Sequence, residues 1–102
     1  MEITLLVNTN ETEGLATRIN AWLDQWVQAN RYWNWFGATL DFFDDFASPP
    51  TCVQRKPESF ALRLEGKPDS KKSWKDWIVL RLLKELQAEF REITAVPPIV
   101  NE

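Results

Sequence analysis

The side chains best suited to chemistry are the carboxylates of Asp41, Asp44 and Asp45, the thiol of Cys52, and the cations of Arg63, Lys67, Lys71, Lys72 and Lys75. Carboxylates this close together could collect the oxygen ligands that Mg²⁺ or Ca²⁺ requires. Their spacing is not that of an EF-hand, and no second acidic cluster completes a coordination sphere, so a solvated acidic turn ahead of Pro49-Pro50 is expected, with no metal and no cofactor. Cys52 could serve as a nucleophile if Arg55 and Lys56 lowered its pKa. The chain contains no histidine, however, and so lacks the commonest general base for Cys, Ser or Thr. Cys52 beside Val53 reads as a small buried side chain. No catalytic residue is assigned, and the sequence leans away from an enzyme.

The lysine stretch runs beside Trp74 and Trp77, a combination that some RNA-binding sheets use. The outward positions of the flanking strands would be Thr4, Leu6 and Asn8, then Ala61, Arg63 and Glu65. None is an aromatic on which a base could stack, and the net charge is −3. The lysines fit the solvated entry to a helix, and nucleic acid is not the expected partner.

These residues must be positioned by a chain of 102 residues, 44% hydrophobic and 26% charged. That composition suits one ordinary globular domain. A single cysteine excludes an internal disulfide, so the core alone has to hold the fold. Met1-Glu2-Ile3-Thr4 lacks the basic start and apolar run of a signal peptide, and no apolar run approaches the roughly 20 residues that span a bilayer. The cytoplasm is the expected compartment.

Residues 2–8 alternate as a strand with Ile3, Leu5 and Val7 on one face. Asn8-Thr9-Asn10 offers a helix N-cap. Leu15, Ile19, Trp22, Leu23, Trp26 and Val27 then form one helical stripe that Asn30 can end. The segment 31–46 is aromatic on both faces; it is read as a strand starting near Tyr32, with a helix as the alternative. Pro49-Pro50 breaks it, 51–56 can form a short extended piece, and Ser59–Glu65 alternates as a strand. A turn at Gly66–Asp69 leads to a helix capped at Ser70 or Ser73, with Trp74, Trp77, Ile78, Leu82, Leu83, Leu86 and Phe90 on its apolar face. Glu92–Val96 is a last strand, and 97–102 a loose tail. The order β-α-β-β-α-β predicts a single α+β domain over residues 1–96: a ferredoxin-like two-layer sandwich with two helices on one face of an antiparallel sheet.

Six tryptophans in so short a chain are its most unusual feature. Trp22, Trp26, Trp74 and Trp77 belong to the apolar stripes and are expected in the core. Trp33 and Trp35 share one face of the strand near Tyr32, and Tyr32 and Phe36 the other. If that strand is an edge of a sheet covered on one side only, an aromatic pair lies on the open face. Leu6, Trp33, Trp35, Arg63 and Val96 therefore make a candidate interaction surface, for a second copy or another protein. Alternatively the loop 44–58 folds over this patch, or roofs a small-molecule pocket lined by aromatics and Arg55 or Arg63.

Overall fold

β1 (Glu2–Val7) carries the alternation that organises the molecule: Ile3, Leu5 and Val7 are buried, and Glu2, Thr4 and Leu6 are exposed. It is followed by α1 (Leu15–Ala29), β2 (Tyr32–Trp35), β3 (Ala38–Asp41), α2 (Phe42–Asp45), β4 (Thr51–Lys56), β5 (Ser59–Arg63), α3 (Lys72–Glu89) and β6 (Ile93–Val96). The computed structural model describes residues 1–68 and 72–96, apart from the side chains of Trp35, residues 72–75 and Val96. β1 pairs antiparallel with β5, Thr4 opposite Ala61, and with β6, Leu6 opposite Thr94. β4 lies outside β5, so the sheet order is β4-β5-β1-β6. Ile3, Leu5, Phe60 and Leu62 from the sheet share one core with Leu15, Ile19 and Leu23 of α1 and Ile78, Leu82 and Leu86 of α3. The result is a two-layer α+β arrangement: helices bury one sheet face, and the other stays open.

Three expectations need correction. The strand near Tyr32 is not an edge of this sheet. It pairs with β3 in a separate two-stranded sheet, Trp33 opposite Leu40 and Trp35 opposite Ala38. The reversal is possible because Phe36 and Gly37 both take positive φ, 50° and 82°, the backbone of a type I′ hairpin turn. The edge next to β5 is instead β4, the segment read only as a short extended piece. Finally, α1 begins at Leu15 after Gly14 at φ 73°, with no side-chain cap. Thr9 accepts the Glu11 N–H at 3.1 Å in a turn of its own. At the other end Asn30 stops the helix as expected, giving both its backbone N–H and its side-chain amide to the Trp26 carbonyl. Of the two caps expected for α3, Ser70 lies outside the described residues, as does the tail 97–102, and Ser73 lies inside the helix, which begins at Lys72.

A helix side-chain amide occupies one backbone residue on each edge of the main sheet. Asn20 of α1 accepts the Cys52 N–H and donates to the Cys52 carbonyl, each at 2.8 Å, in place of the neighbouring strand that β4 lacks. Gln87 of α3 accepts the Ala95 N–H of β6 at 3.1 Å. Unpaired strand edges invite further strands; here one backbone position on each edge is occupied from within the chain.

Candidate interaction surface

The β2–β3 hairpin and α2 form a small unit set against the helix layer. Phe42, at the start of α2, is its anchor. Its ring stacks on Phe46 at 4.6 Å and meets Trp26 of α1 edge-on at 6.4 Å. Arg31 and Asp41 close the base of the hairpin through bonds of 3.1 Å, and the Arg31 guanidinium covers the rings of Tyr32 and Phe43. Asp41 also accepts the Phe43 N–H, capping α2. These bonds hold the Asp41 carboxyl below its ordinary range, Arg31 being the larger influence. Lys67 donates to the Phe43 carbonyl at 2.6 Å, and Phe46 bridges to Gly66. The unit is thus tied to α1 and to the chain leaving β5.

One face of the hairpin meets α3. Trp33 is half-buried, edge-on to Trp77 at 5.1 Å, and the Arg81 guanidinium lies 4.9 Å from the Trp33 ring and 5.8 Å from that of Trp77. Glu85 fixes Arg81 at 3.0 Å and accepts the Trp26 indole N–H at 3.3 Å, linking α3 to α1. Beside this cluster a shallow concavity of about 510 Å³ runs along the outer stripe of α3, lined by Trp77, Leu80, Arg81, Lys84, Glu85 and Ala88. Leu80 is 62% exposed there. At the hairpin tip Phe36 is 95% exposed, and Asn34, Ala38 and Thr39 are exposed around it.

The five residues expected to share one surface do not do so. Leu6 and Arg63 are exposed on the open sheet face. There Glu2 pairs with Arg55 at 3.2 Å and lies 3.7 Å from Arg63. Among the described residues, Leu6 (42% exposed) and Val53 are the large apolar side chains this face leaves open, and Ala61 is shaded between its partners Thr4 and Val53. Trp33 belongs to the helix side. The side chains of Trp35 and Val96 lie outside the described residues; their backbones pair with Ala38 and Thr4. Trp33 departs from the expected surface because β2 pairs with β3 and not with the main sheet. Sequence reasoning did not single out the exposure of Phe36 at the hairpin tip or of Leu80 on α3. The available signal was Gly37, one residue after the aromatic run, which permits a two-residue reversal.

No family model matches this chain, and no curated protein or solved structure is significantly similar to it. Its acidic cluster is divided among separate tasks: Asp41 pairs with Arg31, Asp44 is exposed and Asp45 is buried. Among the described residues no group of three or more Cys, Asp or Glu could hold a metal ion. Of the basic stretch, Lys67 is engaged at Phe43, Lys71 lies outside the described residues, and the side chains of Lys72, Trp74 and Lys75 are not described. A cleft of about 550 Å³ lies beside Ser48, Pro49 and Thr51. Arg63 is on its wall, but Arg55 and the expected aromatics are not. No described helix is long and apolar enough to cross a membrane.

Cys52 is buried, and burial raises its thiol from 9.0 to about 11. A thiol this reluctant to ionise is a poor nucleophile. The unfolded chain loses this proton near pH 9 and the folded one near 11, so the thiol's contribution to stability, intact below 9, is lost as pH rises through that window. Urea midpoints of the native protein are expected to fall more steeply between pH 9 and 11 than those of Cys52→Ala. Parallel pH profiles would show that burial does not perturb the thiol.

Proposed function

We propose that this chain is a cytoplasmic protein-association domain whose contact surface is the β2–β3 hairpin tip with the adjoining stripe of α3, rather than the open sheet face. In this reading the body is a ferredoxin-like sandwich into which the hairpin and α2 are inserted. The sheet order β4-β5-β1-β6 supports that, since leaving out β2, β3 and α2 restores the order β-α-β-β-α-β. A lone thiol and the absence of a disulfide are in keeping with the cytoplasm.

The observation that carries the reading is Phe36. A bulky side chain at φ 50° costs on the order of 1–2 kcal/mol relative to a residue suited to the left-handed region. Here that strain brings no burial, for the ring is 95% exposed. A large aromatic held at positive φ on a hairpin tip and left this exposed is suited to a contact surface. The open sheet face is a weaker candidate, because its charges are already satisfied around Glu2.

The test compares affinity capture by the tagged native protein and by Phe36→Asn, both checked for folding by circular dichroism. The native protein is expected to retain a stoichiometric protein, either another chain or untagged copies of itself, that the variant releases. Equal capture by both, or none by either, would refute the assignment.

A further inference from the structure

α3 ends in an arrangement that its own electrostatics disfavour. The carbonyl end of this 18-residue helix carries partial negative charge, which cations in a last turn offset. Here the last turn holds Glu89 and no basic residue, and Glu92 follows shortly after the helix. Among the described residues neither carboxylate takes part in an ion pair or a hydrogen bond. Both line a cleft of about 440 Å³ between the end of α3 and the middle of α1. One wall of it is aromatic: Trp22 is half-buried, and its ring meets that of Phe90 nearly at right angles, the centroids 6.1 Å apart. Arg18 of α1 is the cation in the lining and stands against both carboxylates, while the exposed Arg91 lies outside it.

Two carboxylates at the negative end of a helix select for positive charge, and the aromatic corner selects for a kind of cation. A hard metal ion takes roughly six or more oxygen ligands, and among the described residues no group of three or more Cys, Asp or Glu could hold one. An organic ammonium ion carries its charge on an alkyl body, so a ring to contact and carboxylates to balance the charge are enough. We infer that the cleft between Trp22 and Glu89 binds an organic ammonium group. Its volume is that of a small-molecule site. A free amine and a lysine side chain offer the same chemistry there. The cleft shares no residue with the hairpin tip or the outer stripe of α3, so this inference stands or falls independently of the association reading.

The test is a titration of the full chain with choline at low ionic strength, followed by heteronuclear NMR. The control is the neutral alcohol of the same shape, with a tert-butyl group in place of the trimethylammonium. Choline is expected to shift the amides of Glu89, Phe90 and Glu92 saturably, with millimolar affinity, together with the Trp22 indole N–H, assigned by its loss in Trp22→Leu. The alcohol is expected to leave them in place. Nα-acetyl-lysine amide, titrated in parallel, separates the two sources: tighter binding than choline assigns the cleft to a protein side chain, weaker binding to a free methylated amine. Replacing both carboxylates (Glu89→Gln with Glu92→Gln) keeps the shape of the cleft and the core, and is expected to weaken choline binding about tenfold. Trp22→Leu should weaken it to a similar degree, and Arg18→Gln should strengthen it by removing the competing cation. Equal shifts with the alcohol, no saturable shift with choline, or native affinity in the double glutamine variant would each overturn the inference.

Discussion

Replacing Phe42 by alanine is expected to cost about 3–5 kcal/mol, a large part of the roughly 5–15 kcal/mol that holds a domain together. The ring is 1% exposed and touches three others: stacked on Phe46, and edge-on to Trp26 and Phe43. Its backbone N–H bonds the Arg31 carbonyl at 2.7 Å and would keep that bond in the variant. The loss is therefore one of packing, a cavity between α1 and the hairpin that Trp26 and Phe46 can only partly fill. Phe43 provides the comparison, since it is half-buried and covered on one side by Arg31; Phe43→Ala should cost a fraction as much. Urea unfolding of the two variants measures the difference. Similar losses would mean that Phe42 does not anchor the hairpin.

The functional consequence follows from the same geometry. Phe36 can be presented to a partner only if the hairpin is held, and Phe42, the Arg31–Asp41 pair and Lys67 hold it together with the Trp33 contact to Trp77 and Arg81. Phe42→Ala should therefore weaken association even where the main sheet remains folded, whereas Phe36→Asn should weaken association while making the fold more stable. The opposite effects on stability separate a residue that supports the surface from one that forms it.

The parts of this fold legible in the sequence are those whose pattern is local. β1, α1 and α3 each bury a face written at a single period, so Ile3, Leu5, Leu15, Ile19, Leu23, Leu82 and Leu86 were all placed in the core from spacing alone. β2 was readable as a strand but not as part of a hairpin. Apolar residues on both faces of Tyr32–Trp35 give no information about its partner, and Phe36-Gly37 lacks the Asn or Asp that usually marks such a turn. The open-face position expected of Trp33 assumed that β2 belongs to the main sheet, whereas it pairs with β3. Trp33 instead packs against Trp77 of α3, a contact 44 positions away that no local spacing encodes. β4 was obscure for a related reason. Only Cys52 among its residues is buried, so it lacks alternation, and what secures its outer edge is an amide on α1.

That amide supports the second large effect. Asn20→Ala is expected to cost about 2–4 kcal/mol, because it leaves the N–H and carbonyl of the buried Cys52 without partners at once, and each orphaned group costs about 1–3 kcal/mol. The helix loses little, since the Asn20 bond to the Ala16 carbonyl is a local one. Gln87→Ala on the opposite edge frees one backbone N–H, that of Ala95, and should cost about half as much. The two sites lie on opposite edges of the sheet, so the double variant should lose the sum of the single losses. Hydrogen exchange adds a residue-specific readout: the Cys52 amide should exchange faster in Asn20→Ala, and the Ala95 amide in Gln87→Ala, neither change affecting the other amide. Opening either edge also exposes a strand to pairing with other chains, so both variants should aggregate on mild heating in a way that Phe36→Asn does not. If Asn20→Ala were as stable as the native protein, β4 would be held by β5 alone. Its open edge would then be a competing route to association, and the assignment of that role to the hairpin tip would lose one of its supports.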